Sequence, residues 1–149
     1  MDIILWRHAE AEEFCLGGDL ARRLTAKGIA QAERVGQWLD ARLPGDASVV
    51  SSPALRARET ADALGRRYEI LPAVGPDASA RQILNALGWP KGHGTTLLIG
   101  HQPALGQTAA LLLCGEARDW QIRKSAAWWL EGGSGDVALR YVVDAKLFK

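Results

Sequence analysis

Sulfur is scarce in this chain of 149 residues, which carries one methionine and two cysteines. Cys15 and Cys114 have no companions at the spacings that bind zinc or run disulfide exchange. Two thiols do not make a disulfide framework in a chain of this size, so both read as reduced, partly buried side chains of a cytoplasmic protein. Long apolar runs are also missing. None approaches the roughly 18 residues of a bilayer-spanning helix, and the N-terminus lacks the basic start of a signal peptide. Charge of one sign is not in excess: 18 Lys and Arg face 17 Asp and Glu, for a formal net charge of +1. No bulk field therefore draws nucleic acid or an anionic membrane, and neither is expected as a partner. The acidic residues are not spaced as a metal cage, so no metal or other cofactor is expected. Repeats, low-complexity tracts and linkers are absent, which predicts one domain over residues 1–149.

What the chain does contain is a regular alternation of strand-like and helix-like segments. The apolar run from Asp2 to Trp6 reads as a buried strand. Thr25 is a suitable N-cap for a helix over 26–43, in which Ile29, Ala32, Val35, Leu39 and Leu43 recur at helical spacing and Pro44-Gly45-Asp46 forms the stop. Ser48–Ser51 reads as a second strand. Pro53 suits the first turn of the next helix, with Ala57, Ala61, Leu64 and Tyr68 on one face. A minor strand is expected at 69–71, a loop from Pro72 to Asp77 and a short helix over 79–88. Trp89 to Gly94 is turn-rich, and a third strong strand runs from Thr95 to Gly100. A helix then reaches about Cys114 with Leu105, Ala109 and Leu112 inward. Strands at 126–130 and 137–143 flank a hairpin loop from Glu131 to Asp136. The pattern predicts an α/β fold: a three-layer α/β/α sandwich, its central sheet mostly parallel, with an antiparallel C-terminal hairpin.

Ligands of open α/β sheets sit outside the carboxyl ends of the strands. Three polar clusters fall at such ends here: Arg7-His8, Ser51-Ser52 with Arg56 one turn on, and His101. Arginine is a permanent, fork-shaped anion binder, and histidine a nucleophile and proton carrier near neutral pH. Two of each around one crevice make a site for a dianionic phosphoryl group. The N–H groups of the helix near Pro53 would add to it.

The ordered motifs resemble those of the histidine phosphatases, the phosphoglycerate-mutase-like superfamily, and most of all the small SixA-type phosphohistidine phosphatases. Arg7-His8-Ala9 is similar to the Arg-His-Gly signature. Leu24-Thr25-Ala26-Lys27-Gly28 is similar to the Leu-Thr-x-x-Gly start of the first helix. Ser51 to Thr60 is similar to the block Ser-x-x-x-x-Arg-Ala-x-x-Thr, and Gly100-His101 to the second histidine. The resemblance implies that His8 is the nucleophile and forms a phosphohistidine. It further implies that Arg7, Arg56 and His101 clamp the phosphoryl oxygens with His8, and that no metal takes part. Ala9 stands where the family has Gly; a left-handed backbone there would cost ~1 kcal/mol.

Larger relatives add a carboxylic acid that protonates an alkoxide leaving group. Glu10 and Asp77 are the candidates here, while SixA-type relatives lack a dedicated acid at the usual place. A missing acid, worth ~10²–10⁴-fold in rate, favours the labile P–N bond of phosphohistidine. Only 48 residues separate Ser52 from His101, too few for the capping insertion of larger relatives. The pocket is therefore expected to be open and suited to a phosphorylated protein, with small phosphate esters as an alternative substrate. A phosphate-binding module without turnover is the non-enzymatic alternative. Outside the site, Arg58 and His93 are expected on the surface, Glu59 in a pair with an arginine, and one ring of Trp128-Trp129 exposed as a partner surface.

Overall fold

A computed structural model describes residues 1–133 and 135–148. Six strands form one sheet: β1 (Asp2–Arg7), β2 (Ser48–Ser51), β3 (Glu69–Ile70), β4 (Thr95–Gly100), β5 (Ala127–Gly132) and β6 (Val137–Val143), in the spatial order β3-β2-β4-β1-β5-β6. β1, β4, β2 and β3 pair in parallel, while β5 and β6 are antiparallel additions beside β1. Because successive side chains on a strand point to opposite faces, β1 feeds two cores. Ile4 and Trp6 pack on one side with α1 (Ala26–Arg42) and α2 (Leu55–Asp62). Ile3 and Leu5 pack on the other with α3 (Ala80–Leu87) and α4 (Ala104–Cys114). The result is the three-layer α/β/α sandwich, its parallel sheet extended by the C-terminal hairpin.

Local chemistry sets the helix starts. The Thr25 hydroxyl accepts the Gly28 N–H, as an N-cap should. At α3 the Ser79 hydroxyl accepts the Gln82 N–H while the Gln82 side-chain Oε1 accepts from the Ser79 N–H, a reciprocal capping box. The second helix departs from expectation. Its first helical residue is Leu55, with Ala54 as N-cap, and it ends at Asp62 rather than running to Tyr68. The Ser52 hydroxyl accepts the Ala54 N–H and holds Ser52-Pro53-Ala54 in a turn, leaving Pro53 outside the helix. Ile29, which recurs at helical spacing with Ala32, Val35 and Leu39, is nonetheless 45% exposed. The buried stripe of α1 is instead Gly28, Ala32, Val35, Gly36 and Leu39. Gly28 lies against the Glu10 carbonyl and Gly36 against the Ala63 carbonyl, so backbone contact took the place of a large side chain.

Of the thiols, Cys15 is half-buried and Cys114 is exposed. Trp128 and Trp129 do lie on opposite sheet faces, yet neither is an exposed ring. Trp129 is buried with its indole N–H on Asp2, and Trp128 is half-buried beside Trp120. Among the described residues no helix is long and apolar enough to cross a membrane.

Candidate active site

Strand register brings the polar clusters together. Arg7 of β1 pairs with Gly100 of β4, and Ser51 of β2 with Ile99. Two hydrogen bonds extend the ladder past the strand ends, from His8 N–H to the Gly100 carbonyl (3.1 Å) and from Ser52 N–H to the Ile99 carbonyl (3.0 Å). His8, Ser52 and His101 therefore leave adjacent strands on one rim. The two imidazole rings lie 5.1 Å apart, centroid to centroid. Arg56, the second residue of α2, joins them and is buried to 5% exposure.

Each of these side chains is held by one part and free at another. His8 Nδ1 lies 2.8 Å from the Ala9 carbonyl. A carbonyl only accepts, so Nδ1 carries the hydrogen and the neutral ring keeps its lone pair on Nε2. His101 Nε2 is 2.7 Å from the Ser52 hydroxyl, which already accepts from Ala54 N–H. The hydroxyl then donates its own hydrogen to Nε2, which puts the His101 hydrogen on Nδ1. Arg7 donates from Nη1 to the Ile122 carbonyl (3.0 Å). Arg56 donates from Nη1 to the Asp19 carbonyl (2.9 Å) and from Nη2 to the Asp19 carboxylate (3.2 Å). Arg7 Nε, Arg56 Nε and His101 Nδ1 are buried without a hydrogen-bond partner. Buried donors are normally paired, and these three unpaired N–H groups all belong to side chains gathered at this rim.

Burial also sets the protonation of the rings. It pushes the His8 imidazole from its ordinary 6.5 down to about 4, helped by the positive charge of Arg56, Arg7 and Arg22 and opposed by the Ala9 carbonyl. His101 falls to about 3 through burial, with His8, Arg56 and Arg7 adding to the effect. Both rings are neutral at physiological pH. Burial lowers the Arg7 guanidinium as well, though an arginine stays charged. His8 thus presents an unprotonated ring nitrogen beside two permanent cations.

Several residues given little or no role from sequence build this arrangement. Thr60, buried in α2, accepts the Ala9 N–H (3.0 Å) and donates to the Arg56 carbonyl (2.8 Å), tying the nucleophile loop to the arginine helix. Ala9 does not have a left-handed backbone, since Ser125 is the non-glycine residue with positive φ among those described. Ser125 N–H donates to the His8 carbonyl and its own carbonyl accepts the Trp6 indole N–H. With Ile122, it shows that the segment before β5 backs the site. Asp19 sits in a short 3₁₀ turn, Asp19–Ala21, where its carboxylate also accepts from Arg22 (3.0 Å).

Neither carboxylate singled out as an acid hydrogen-bonds one of these side chains. Glu10 accepts the Thr25 hydroxyl (2.8 Å) at the start of α1. Asp77 is exposed and lines a cavity that also borders Asp19 and Pro53. Glu59 pairs with Arg23 and accepts the Leu24 N–H, Arg58 and His93 are exposed, and none of these three bonds a site side chain. Among the described residues no group of three or more His, Cys, Asp and Glu is placed to hold a metal ion.

Residues 3–78 match the model of the histidine phosphatase superfamily, branch 1. The chain is 31% identical over 127 residues to a phosphohistidine phosphatase SixA homolog of Haemophilus influenzae, covering 75% of this chain and 77% of the relative. It is 29% identical over 125 residues to phosphohistidine phosphatase SixA of Escherichia coli, covering 78% and 76%. The structure of the protein histidine phosphatase SixA complexed with tungstate superposes with a TM-score of 0.86 at 25% identity, covering 100% of both chains. With this match added to a neutral histidine set among buried guanidinium donors, the chain belongs to the histidine phosphatase superfamily.

Proposed function

We propose that the protein is a metal-independent phosphatase that works through a phosphohistidine on His8 and removes phosphoryl groups from phosphohistidine in proteins. The observation that carries this reading is the fixed tautomer of His8, with Nδ1 on the Ala9 carbonyl and Nε2 left as the nucleophile. In the proposed reaction Nε2 attacks phosphorus in line. The bond from phosphorus to the substrate's imidazole nitrogen breaks, and its electron pair goes to that nitrogen, which takes a proton from solvent. Arg7, Arg56 and His101 form a cradle that holds the non-bridging oxygens. Water then attacks phosphorus, the P–Nε2 bond breaks, and inorganic phosphate leaves with His8 restored.

A protein substrate is favoured by the chain between Ser52 and His101. Its described elements are α2, β3, a 3₁₀ turn, α3 and β4, all built into the sheet or the layers beside it. Relatives named phosphohistidine phosphatases point the same way. The test is turnover of a phosphohistidine protein and of phosphoramidate in the presence of a chelator. Acid-labile, alkali-stable phosphate should be trapped on His8 and be absent from His8→Ala. Equal or better turnover of sugar phosphates would overturn the substrate reading; phosphate binding without an adduct would overturn the enzymatic one. Asp77 on the cavity keeps a second reading, phosphomonoester hydrolysis with Asp77 as acid. In that case Asp77→Asn loses rate on alkyl phosphates far more than on nitrophenyl phosphate.

A further inference from the structure

A cavity of about 830 Å³ adjoins the phosphoryl site. Two contacts tie its wall to the residues of that site. Asp19, on its wall, binds both terminal nitrogens of Arg56, and Pro53, also on its wall, directly follows the Ser52 that bonds His101. Much of its lining is apolar, including Leu20, Pro53, Pro72 and Pro76, with the amides of Gln82 and Asn85 on α3. Among the described residues that line it, the charged ones are Asp19 and Asp77, both carboxylates. Arg22 and Arg56 hold Asp19 in its ionised form, and Asp77 forms no ion pair among the described residues.

We infer that this cavity receives the leaving group and sorts it by charge, admitting neutral and cationic groups and rejecting anionic ones. The inference rests on His8 being the nucleophile. Whatever is bonded to a phosphorus atom in the cradle must project from it, and the adjoining cavity is large enough for a side chain and its neighbours. A departing imidazole becomes cationic once protonated and meets the two carboxylates favourably. A substrate with a carboxylate or a second phosphate places like charge against them, with no lysine or arginine on the described wall to receive it. Asp19 has a double part here. It holds the Arg56 fork by its terminal nitrogens, and its carboxylate, shared with Arg22 and Arg56, stands on the wall with Asp77, unpaired among the described residues.

The test uses phenyl phosphates with a para trimethylammonium, nitro or sulfonate group, the first and last being phenols of similar acidity. The quantity read is the ratio of kcat/KM for the cationic over the anionic ester at low ionic strength. Charges separated by several ångströms of partly aqueous medium make this ratio roughly tenfold or more in the native chain. Asp77→Asn and Asp19→Asn should each narrow it by roughly threefold or more, as should about 0.5 M salt. Asp19→Asn should also lower turnover of all three esters, because Arg56 loses part of its anchor; the ratio is insensitive to that shared loss. A ratio near unity in the native chain, or one retained in both variants, overturns the inference while leaving the His8 adduct intact. Absence of the adduct with every ester overturns the nucleophile reading, and this inference with it.

Discussion

Two buried imidazoles that resist protonation must make the protein acid-labile, by an amount the structure fixes. In the unfolded chain each histidine titrates near 6.5. In the folded chain burial holds His8 at about 4 and His101 at about 3. Between those values the unfolded state binds more protons than the native state, so stability falls as pH drops. The contribution is complete above about pH 7 and is lost on descent through 6.5 toward 4. From pH 7 to 4.5 the loss is roughly 2 kcal/mol for each ring taken alone, less for the second once the first is counted because the two rings face each other. Urea unfolding at the two pH values measures it directly. His8→Asn and His101→Asn should each be less sensitive to acid than the native chain by roughly 2 kcal/mol, whatever their absolute stabilities. Carboxylates that titrate in the same range cancel in this double difference. If both variants kept the native acid dependence, the rings would not be held neutral, and the availability of His8 Nε2 at neutral pH would lose its basis.

Thr60→Val keeps the shape but leaves the buried Ala9 N–H without its acceptor. It should destabilise by roughly 1–3 kcal/mol in urea melts, and lower kcat more than it raises KM, because the loop that aims His8 is released from the Arg56 helix. Gly28→Ala would push a Cβ into the Glu10 carbonyl two residues beyond the nucleophile. With backbone on both sides of the contact, the shift should cost roughly 2–3 kcal/mol and reduce turnover as well. Native-like stability and rate in this variant would mean that α1 does not fix the position of the loop after β1.

The site was legible wherever its residues end a strand. Arg7-His8, Ser52 and His101 follow short apolar runs, and parallel pairing puts the ends of such runs side by side. The supporting residues left weaker marks. Asp19 lies in a segment with no periodicity, and it meets Arg56 from 37 positions away. Ile122 and Ser125 act through backbone groups, which any residue supplies, so their identities carry no signal. Ile29 misled because hydrophobicity marks large side chains, whereas the face of α1 nearest the site is defined by the closeness of Gly28 to a carbonyl. Glu10 follows the nucleophile in sequence, but its carboxylate is engaged by the Thr25 hydroxyl.

The neutral histidines and the permanent cations depend on each other. An arginine keeps its charge in a buried site where an imidazole does not, so the two kinds of side chain placed together hold permanent positive charge beside a neutral ring nitrogen. The positive field of Arg56 and Arg7 helps keep His8 deprotonated. Replacing either arginine by a neutral residue would therefore weaken anion binding and raise the His8 pKa together. Acid sensitivity of the fold and nucleophilicity at neutral pH are two results of one burial.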